Sequence, residues 1–231
     1  MDVLFSGKKA LIVGGTSGIG LSIARELERE GALVSIVGRT AVSGMDVSLL
    51  DLNLSQNCVK VLEMAGVCDI LVVARGPFMQ ATLDETTPEA WESLVFSNLV
   101  FPGQLVSAAL PSMRSNHWGR ILLFGGTRTD RIRGFRTNAA YAAAKTGLSS
   151  LVLSVAEEYA KEGITCNALC PGFVDSPLLD STERIRLQQK SPGATLISVR
   201  EVTETALFLI KSAAINGTVL RIDRGWAPSF V

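Results

Sequence analysis

A glycine cluster, Gly14-Gly15-Thr16-Ser17-Gly18-Ile19-Gly20, joins a short apolar run to an amphipathic helical pattern near the start of the chain. Few features restrict a fold as tightly. A strand that enters a helix without a spacer, through residues free to adopt positive φ, opens a βαβ unit. Ile19, Ile23, Ala24 and Leu27 fall on one helical face, arginine and glutamate occupy the other, and Gly31 stands where a C-terminal cap belongs. Glycines at 14, 18 and 20 let the backbone turn sharply and approach a pyrophosphate, towards which the helix N-terminus directs unpaired N–H groups and positive dipole potential.

The alternation continues downstream. Short apolar runs recur near residues 10–13, 33–37, 47–50, 69–74, 120–124, 165–169 and 218–222. Thr87-Pro88-Glu89 reads as N-cap, first helical residue and dipole-favourable acid of a helix carrying Trp91, Leu94 and Val95. A long helix is predicted over 138–161, and Ser198 with Glu201 forms a capping box before a last helix over 202–210. Strands that alternate with helices pair in parallel. The predicted fold is therefore α/β, a Rossmann-like doubly wound parallel sheet of about seven strands in a single domain over residues 1–231. Too few residues separate Arg39 from Asp51 for a crossover helix, so a loop is expected there and a thinly covered sheet face beside it.

Charge and cysteine usage remove several function classes. The 22 basic residues balance 22 acidic ones, which leaves no basic excess for nucleic acid. His117 is the only histidine, and Cys58, Cys68, Cys166 and Cys170 show no CxxC spacing, so no metal site is expected and the thiols read as reduced, buried small hydrophobes. At the N-terminus the charges follow the few apolar residues, unlike a signal peptide, and no uncharged apolar run approaches the roughly 18 residues of a bilayer span. The expectation is a soluble cytoplasmic protein with neither membrane nor nucleic-acid partners.

The end of the second strand bears on the nucleotide. An acidic residue there would bond a ribose 2′-hydroxyl and repel a 2′-phosphate, but the stretch is Val37-Gly38-Arg39-Thr40. A guanidinium without a neighbouring carboxylate grips a phosphate and stacks on adenine, which favours NADP(H) over NAD(H). Asp51, followed by Leu52, is placed for the adenine edge, with helix capping an equal alternative for its carboxylate.

Tyr141-Ala-Ala-Ala-Lys145 lies early in the long predicted helix, so its spacing puts phenol and ammonium on one face. Moving a hydride to or from a carbonyl carbon requires a matching proton at the oxygen, and a phenol near pKa 10 exchanges it poorly at neutral pH. A fixed cation alongside would stabilise phenolate; lowering the pKa by about three units needs roughly 4 kcal/mol. Tyr141 is thus the expected proton donor and acceptor. Lys145 is the expected tuner and ribose ligand.

Taken in order, these motifs resemble the short-chain dehydrogenase/reductase family over nearly the whole chain, in pattern most like 3-oxoacyl-[acyl-carrier-protein] reductases. The resemblance implies an NADP(H)-dependent carbonyl reductase, with a small-molecule ketone or alcohol as substrate. It places the proton-relay asparagine at Asn98. It puts the cofactor against Gly14, Thr16, Ser17, Gly18, Ile19 and Gly20, against Arg39, Thr40, Asp51 and Leu52, and against Ala74 and Gly76. Tyr141 and Lys145 join that set, as do Pro171, Gly172, Val174 and Ser176 of the segment that holds the nicotinamide amide and phosphates. Asn216-Gly217 through Asp223 matches the final strand and its aspartate. The family commonly pairs its long helix, so a homodimer or homotetramer is expected, with Leu148, Leu151, Val152 and Val155 read as more apolar surface than one sheet face needs.

Three departures stand out. The family's NNAG segment is Val73-Ala74-Arg75-Gly76 here, which removes amides that brace the sheet. Its serine after the fifth strand is replaced within Phe124-Gly125-Gly126-Thr127, where Thr127 is the nearest hydroxyl and Thr129 the next. Losing one donor aimed at a developing oxyanion costs on the order of 10²–10³ in rate. The stretch before the tyrosine is about two residues longer than usual for the family and carries Arg128, Arg131, Arg133 and Arg136, suited to an acidic or carrier-bound substrate or to a solvated loop. Residues 181–187 are read as a helix over the cleft. The competing reading is a dinucleotide-binding module with weak or no catalysis, acting as a sensor or assembly partner.

Overall fold

The central strands of the chain are apolar on both faces, and such strands are stable only with helices packed on each side. In the computed structural model, which describes residues 4–53, 55–177 and 179–226, they have that cover. The element order is β1 (Lys9–Val13), α1 (Gly18–Arg29), β2 (Leu33–Gly38), β3 (Asp46–Leu49), α2 (Ser55–Ala65), β4 (Ile70–Val73), α3 (Pro88–Val95), α4 (Phe101–Ser115), β5 (Gly119–Phe124), α5 (Ala139–Tyr159), β6 (Ile164–Pro171), β7 (Val174–Asp175), α6 (Ser181–Lys190), β8 (Ile197–Ser198), α7 (Val199–Lys211) and β9 (Val219–Ile222).

Seven strands form one parallel sheet in the order β3-β2-β1-β4-β5-β6-β9. Alternate side chains go to opposite layers. Leu11, Val13, Leu71 and Val73 pack with Cys58, Phe101, Leu105, Leu148 and Val152 of α2, α4 and α5. Ala10, Ile12, Ile70 and Val72 pack with Ile23, Leu27, Val202 and Leu209 of α1 and α7. This is the doubly wound arrangement that the sequence predicts, and all seven predicted strands are present with ends shifted by a residue or two.

The β2–β3 connection is a loop, as expected, and β3 at the sheet edge has no buried residue. Thr87 caps α3 by accepting from the Ala90 amide, Ser198 and Glu201 form the capping box of α7, and Gly31 follows α1 at φ +87°. All four cysteines are free, buried thiols. The stretches Pro88–Ser115 and Ala139–Glu162 are long and apolar enough to cross a bilayer, yet their apolar residues include the helix partners of the sheet. Four elements go beyond the sequence reading. A π-helical turn, Phe96–Val100, joins α3 to α4; β7 and β8, two residues each, pair at the feet of the excursion that carries α6; and α6 extends past the predicted segment, capped by Asp180. The apolar surplus assigned to α5 is corrected: Leu148, Val152 and Val155 are core residues, and the large apolar residue this helix exposes is Leu153, at 56%.

Candidate active site

β1 and β4 are neighbours whose following segments leave towards opposite faces of the sheet, which opens a crevice at their carboxyl ends. The glycine loop lies there. Gly14 (φ +88°) and Gly18 (φ +52°) take backbone conformations that disfavour side chains, and a Cβ on Gly20 would strike the Gly14 carbonyl. Ser17, the N-cap of α1, makes no side-chain cap, and the first turn holds no acid, so the helix N-terminus faces the crevice with its amide donors unopposed. A cavity of about 480 Å³ continues from this loop, lined by Gly14, Thr16, Ser17, Arg39, Asp51, Leu52, Ala74, Arg75 and Gly76. Asp51 accepts from the Asn53 amide at 3.0 Å, closing the turn before α2, and its residue remains on the cavity wall.

A second cavity of about 240 Å³ shares Ala74, Arg75 and Gly76 with the first. It brings together Ile19, Thr127, Tyr141, Lys145, Pro171, Gly172 and Val174. Of the expected cofactor residues, Gly18 and Gly20 shape the loop, while Thr40 and Ser176 lie on neither wall. A loop in which a Cβ at Gly14, Gly15 or Gly20 would clash, an uncapped helix N-terminus and an arginine at the far end fit an anionic dinucleotide.

Tyr141 and Lys145 both face this crevice, one helical turn apart on α5. The Lys145 ammonium is directed at the Phe124 carbonyl, Nζ donating at 2.6 Å from a fully enclosed position. Burial pushes the lysine down to about 8, opposed by the Cys170 thiol. Burial also pushes the Tyr141 phenol up to about 12, with Cys170 adding to the rise. The expectation of a phenol made acidic by its ammonium neighbour is therefore not met by the protein's own groups, because both lose hydration and the ammonium's hydrogen bond goes to the Phe124 carbonyl. The Phe78 ring packs edge-on to Tyr141 at 5.1 Å between centroids.

Asn98 sits in the π turn, a distortion frequent at functional sites. Its Nδ2 donates to the Pro77 and Leu94 carbonyls, both at 3.0 Å, while Oδ1 is buried without a partner. Asn98 Oδ1 and Lys145 Nζ meet at Gly76: a Cβ there would lie 2.5 Å from the first and 2.7 Å from the second. No sequence signal marked the π turn.

The missing serine has a specific spatial counterpart. A Cβ on Gly126 would lie 2.8 Å from the Tyr141 hydroxyl, so this glycine, overlooked in sequence, is the residue after β5 that faces the phenol. Thr127 lines the cavity, but its hydroxyl donates to the Pro171 carbonyl at 3.0 Å. Thr129 is turned inwards, accepting from the Gly126 amide at 2.8 Å. In the arginine-rich stretch, Arg131 and Arg133 both approach the mostly buried Asp130 carboxylate, at 3.4 and 3.8 Å, and Arg128 lies over the Trp226 ring at 5.5 Å. The cavity around Tyr141 is lined by none of these arginines.

Residues 8–186 match the family model for short chain dehydrogenases. The chain belongs to the short-chain dehydrogenase family. It is 32% identical to the 3-oxoacyl-[acyl-carrier-protein] reductase of Escherichia coli, over 96% of this chain and 98% of that one. It is 29% identical to the D-beta-hydroxybutyrate dehydrogenase of Cupriavidus necator, over 96% and 99%. A solved Beutenbergia cavernae structure with NADP bound at low occupancy, ascribed to an NAD(P)-dependent gluconate 5-dehydrogenase, superposes with a TM-score of 0.85 at 27% identity, over 98% of this chain and 99% of that chain. The short-chain dehydrogenases are oxidoreductases that act on hydroxyl and carbonyl groups with a nicotinamide dinucleotide, and this chain has their fold and their ordered motifs.

Proposed function

We propose that this short-chain dehydrogenase is an NADP(H)-dependent carbonyl reductase that interconverts a ketone and a secondary alcohol, with 3-oxoacyl thioesters as the leading substrate class. The observation that carries the reading is the presence of Tyr141 and Lys145 on the wall of one crevice whose other end presents Arg39. The glycine loop and the α1 N-terminus would hold the pyrophosphate, with Gly14, Thr16, Ser17, Gly18, Ile19 and Gly20 as its contacts. Arg39 and Thr40 would meet the 2′-phosphate, Asp51 and Leu52 the adenine, Ala74 and Gly76 the ribose edge, and Pro171, Gly172, Val174 and Ser176 the nicotinamide half.

When bound, the cofactor exchanges a hydride with the substrate carbon and, in its oxidised form, brings the positive charge that a phenolate needs. The remaining work belongs to the chain. Tyr141 passes its hydroxyl proton to the carbonyl oxygen during reduction and takes it back during oxidation. Lys145 would hold the ribose, its ammonium fixed by the Phe124 carbonyl. Asn98, with its unpartnered Oδ1 beside Lys145 at Gly76, relays the proton onward to solvent. Thr127 steadies the substrate oxygen by exchanging its bond to Pro171. The whole chain serves as one cofactor-binding catalytic domain in the cytoplasm, assembled as a homodimer or homotetramer. The Asp130 carboxylate is shared by Arg131 and Arg133, which leaves the exposed Arg136 to attract an acidic or carrier-bound substrate.

The test is NADPH and NADH oxidation with acetoacetyl thioesters, acetoacetate and a panel of neutral ketones. The proposal expects turnover of at least one thioester with NADPH preferred. Turnover with NADH alone would remove the cofactor assignment, and turnover of neutral ketones alone would remove the substrate class.

A further inference from the structure

The adenosine-side cavity contains a residue that family motifs leave unassigned. Arg75 follows β4 and packs its backbone on the glycine loop: a Cβ on Gly14 would meet the Arg75 amide nitrogen at 2.9 Å and its Cβ at 3.0 Å. From there the side chain crosses the crevice to the loop after β3, where Nη2 donates to Asn53 Oδ1 at 3.0 Å. Nη1 is buried with no hydrogen-bond partner. A guanidinium nitrogen in that condition is costly unless a ligand supplies an acceptor.

Arg39 arrives from the end of β2 on the same cavity wall. The two cations sense each other: burial is the main influence lowering the Arg75 pKa, Arg39 lowers it further, and Cys58 and Asp51 pull the other way. Two arginines thus face one lining carboxylate, Asp51, part of which already accepts from the Asn53 amide. Like charges gathered in a partly desolvated cavity are relieved by an anion. The pyrophosphate of a dinucleotide belongs at the glycine loop. An anion for this end must come from the adenosine itself.

We propose that Arg75 is a second specificity-determining residue for the 2′-phosphorylated dinucleotide, acting with Arg39 on the lining of the adenosine cavity. Asn53 positions the guanidinium across the crevice by holding Nη2. The proposal rests on the NADP(H) reading, and it explains why the departure from the NNAG pattern puts an arginine at this point.

The experiment is calorimetric titration of adenosine 2′,5′-bisphosphate and of 5′-AMP into the wild-type protein, Arg39→Met, Arg75→Met and Arg75→Gln, with a melting curve for each. Neither fragment contains nicotinamide, so the result is independent of catalysis. Wild type should bind the bisphosphate at least about tenfold more tightly, as expected for one or two charge-assisted bonds. Arg75→Met should narrow that ratio about fivefold or more while 5′-AMP binding stays within about twofold. Arg75→Gln, which removes the charge but keeps a polar side chain, should show the same narrowing. An unchanged ratio in both Arg75 variants, or equal weakening of both fragments, overturns the role of Arg75 while leaving Arg39 and the NADP(H) reading in place. A wild-type protein that does not distinguish the fragments overturns the NADP(H) reading and the proposal with it.

Discussion

The adenosine end of the crevice gathers charge, whereas the chemical end strips it away. At the first, Arg39 and Arg75 share a wall with the single carboxylate of Asp51, beside an uncapped helix N-terminus. At the second, burial is the main cause that raises the Tyr141 phenol to about 12 and lowers Lys145 to about 8, and the ammonium donates to the Phe124 carbonyl. One end is thus a ready anion receptor. The other is a desolvated pocket whose phenol, under the proposed function, depends on charge carried in by a ligand. Binding and chemistry should therefore separate cleanly under mutation.

Tyr141→Phe tests the separation most severely. Steady-state kinetics should show turnover lower by about 10³-fold or more, while the Kd for NADPH stays within about threefold, because the lost hydroxyl handles the proton and adds little to binding. Thr127→Val comes next. If its hydroxyl leaves Pro171 for the substrate oxygen, kcat should fall about 10- to 100-fold; a fall below about threefold would show that the hydroxyl stays on Pro171 and that the substrate oxygen is held by Tyr141 without it. At the other end, Arg39→Ala should weaken NADPH by about tenfold and NADH by less than about threefold, read by fluorescence titration, with kcat at saturation nearly unchanged.

The smallest effect concerns stability. The folded-state pKa of Lys145 lies below that of the unfolded chain, so the unfolded chain binds more protons between about pH 8 and the ordinary lysine value near 10.4. Stability should rise with pH through that window, and below it the buried ammonium is a net cost. Lys145→Met should therefore melt a few °C higher than wild type at pH 6–7, a gain of about 1–2 kcal/mol after the loss of the Phe124 bond, while losing turnover. A lower melting temperature would show that the ammonium is better satisfied than its burial implies.

The layers of the fold were legible because central parallel strands are apolar throughout and the glycine loop marks the first βαβ unit. The excursion between β7 and β8 was not, since strands of two residues carry no period to read. In the site, Tyr141 and Lys145 were placed together by helical spacing alone. Three features escaped. Thr127 drew attention as the nearest hydroxyl in sequence, but only geometry shows Gly126 against the phenol and Thr127 against Pro171. Arg75 registered as a loss of bracing amides, because its contact with Asn53 spans 22 positions and exists only across the crevice. The pKa of Tyr141 was expected to fall because spacing reveals a cation nearby but not where its proton points, nor how much water both groups lose.

The central claim is that Tyr141 serves hydride chemistry in this crevice. Its most direct measurement is a single turnover with NADPH deuterated at the transferable C4 position, using acetoacetyl thioester and the ketone panel, followed by mass analysis of the alcohol. The account predicts deuterium on the carbinol carbon with the wild-type protein and a rate about 10³-fold lower with Tyr141→Phe. Tight NADPH binding with no deuterated alcohol from any carbonyl compound, or equal deuterium transfer by Tyr141→Phe, would contradict it.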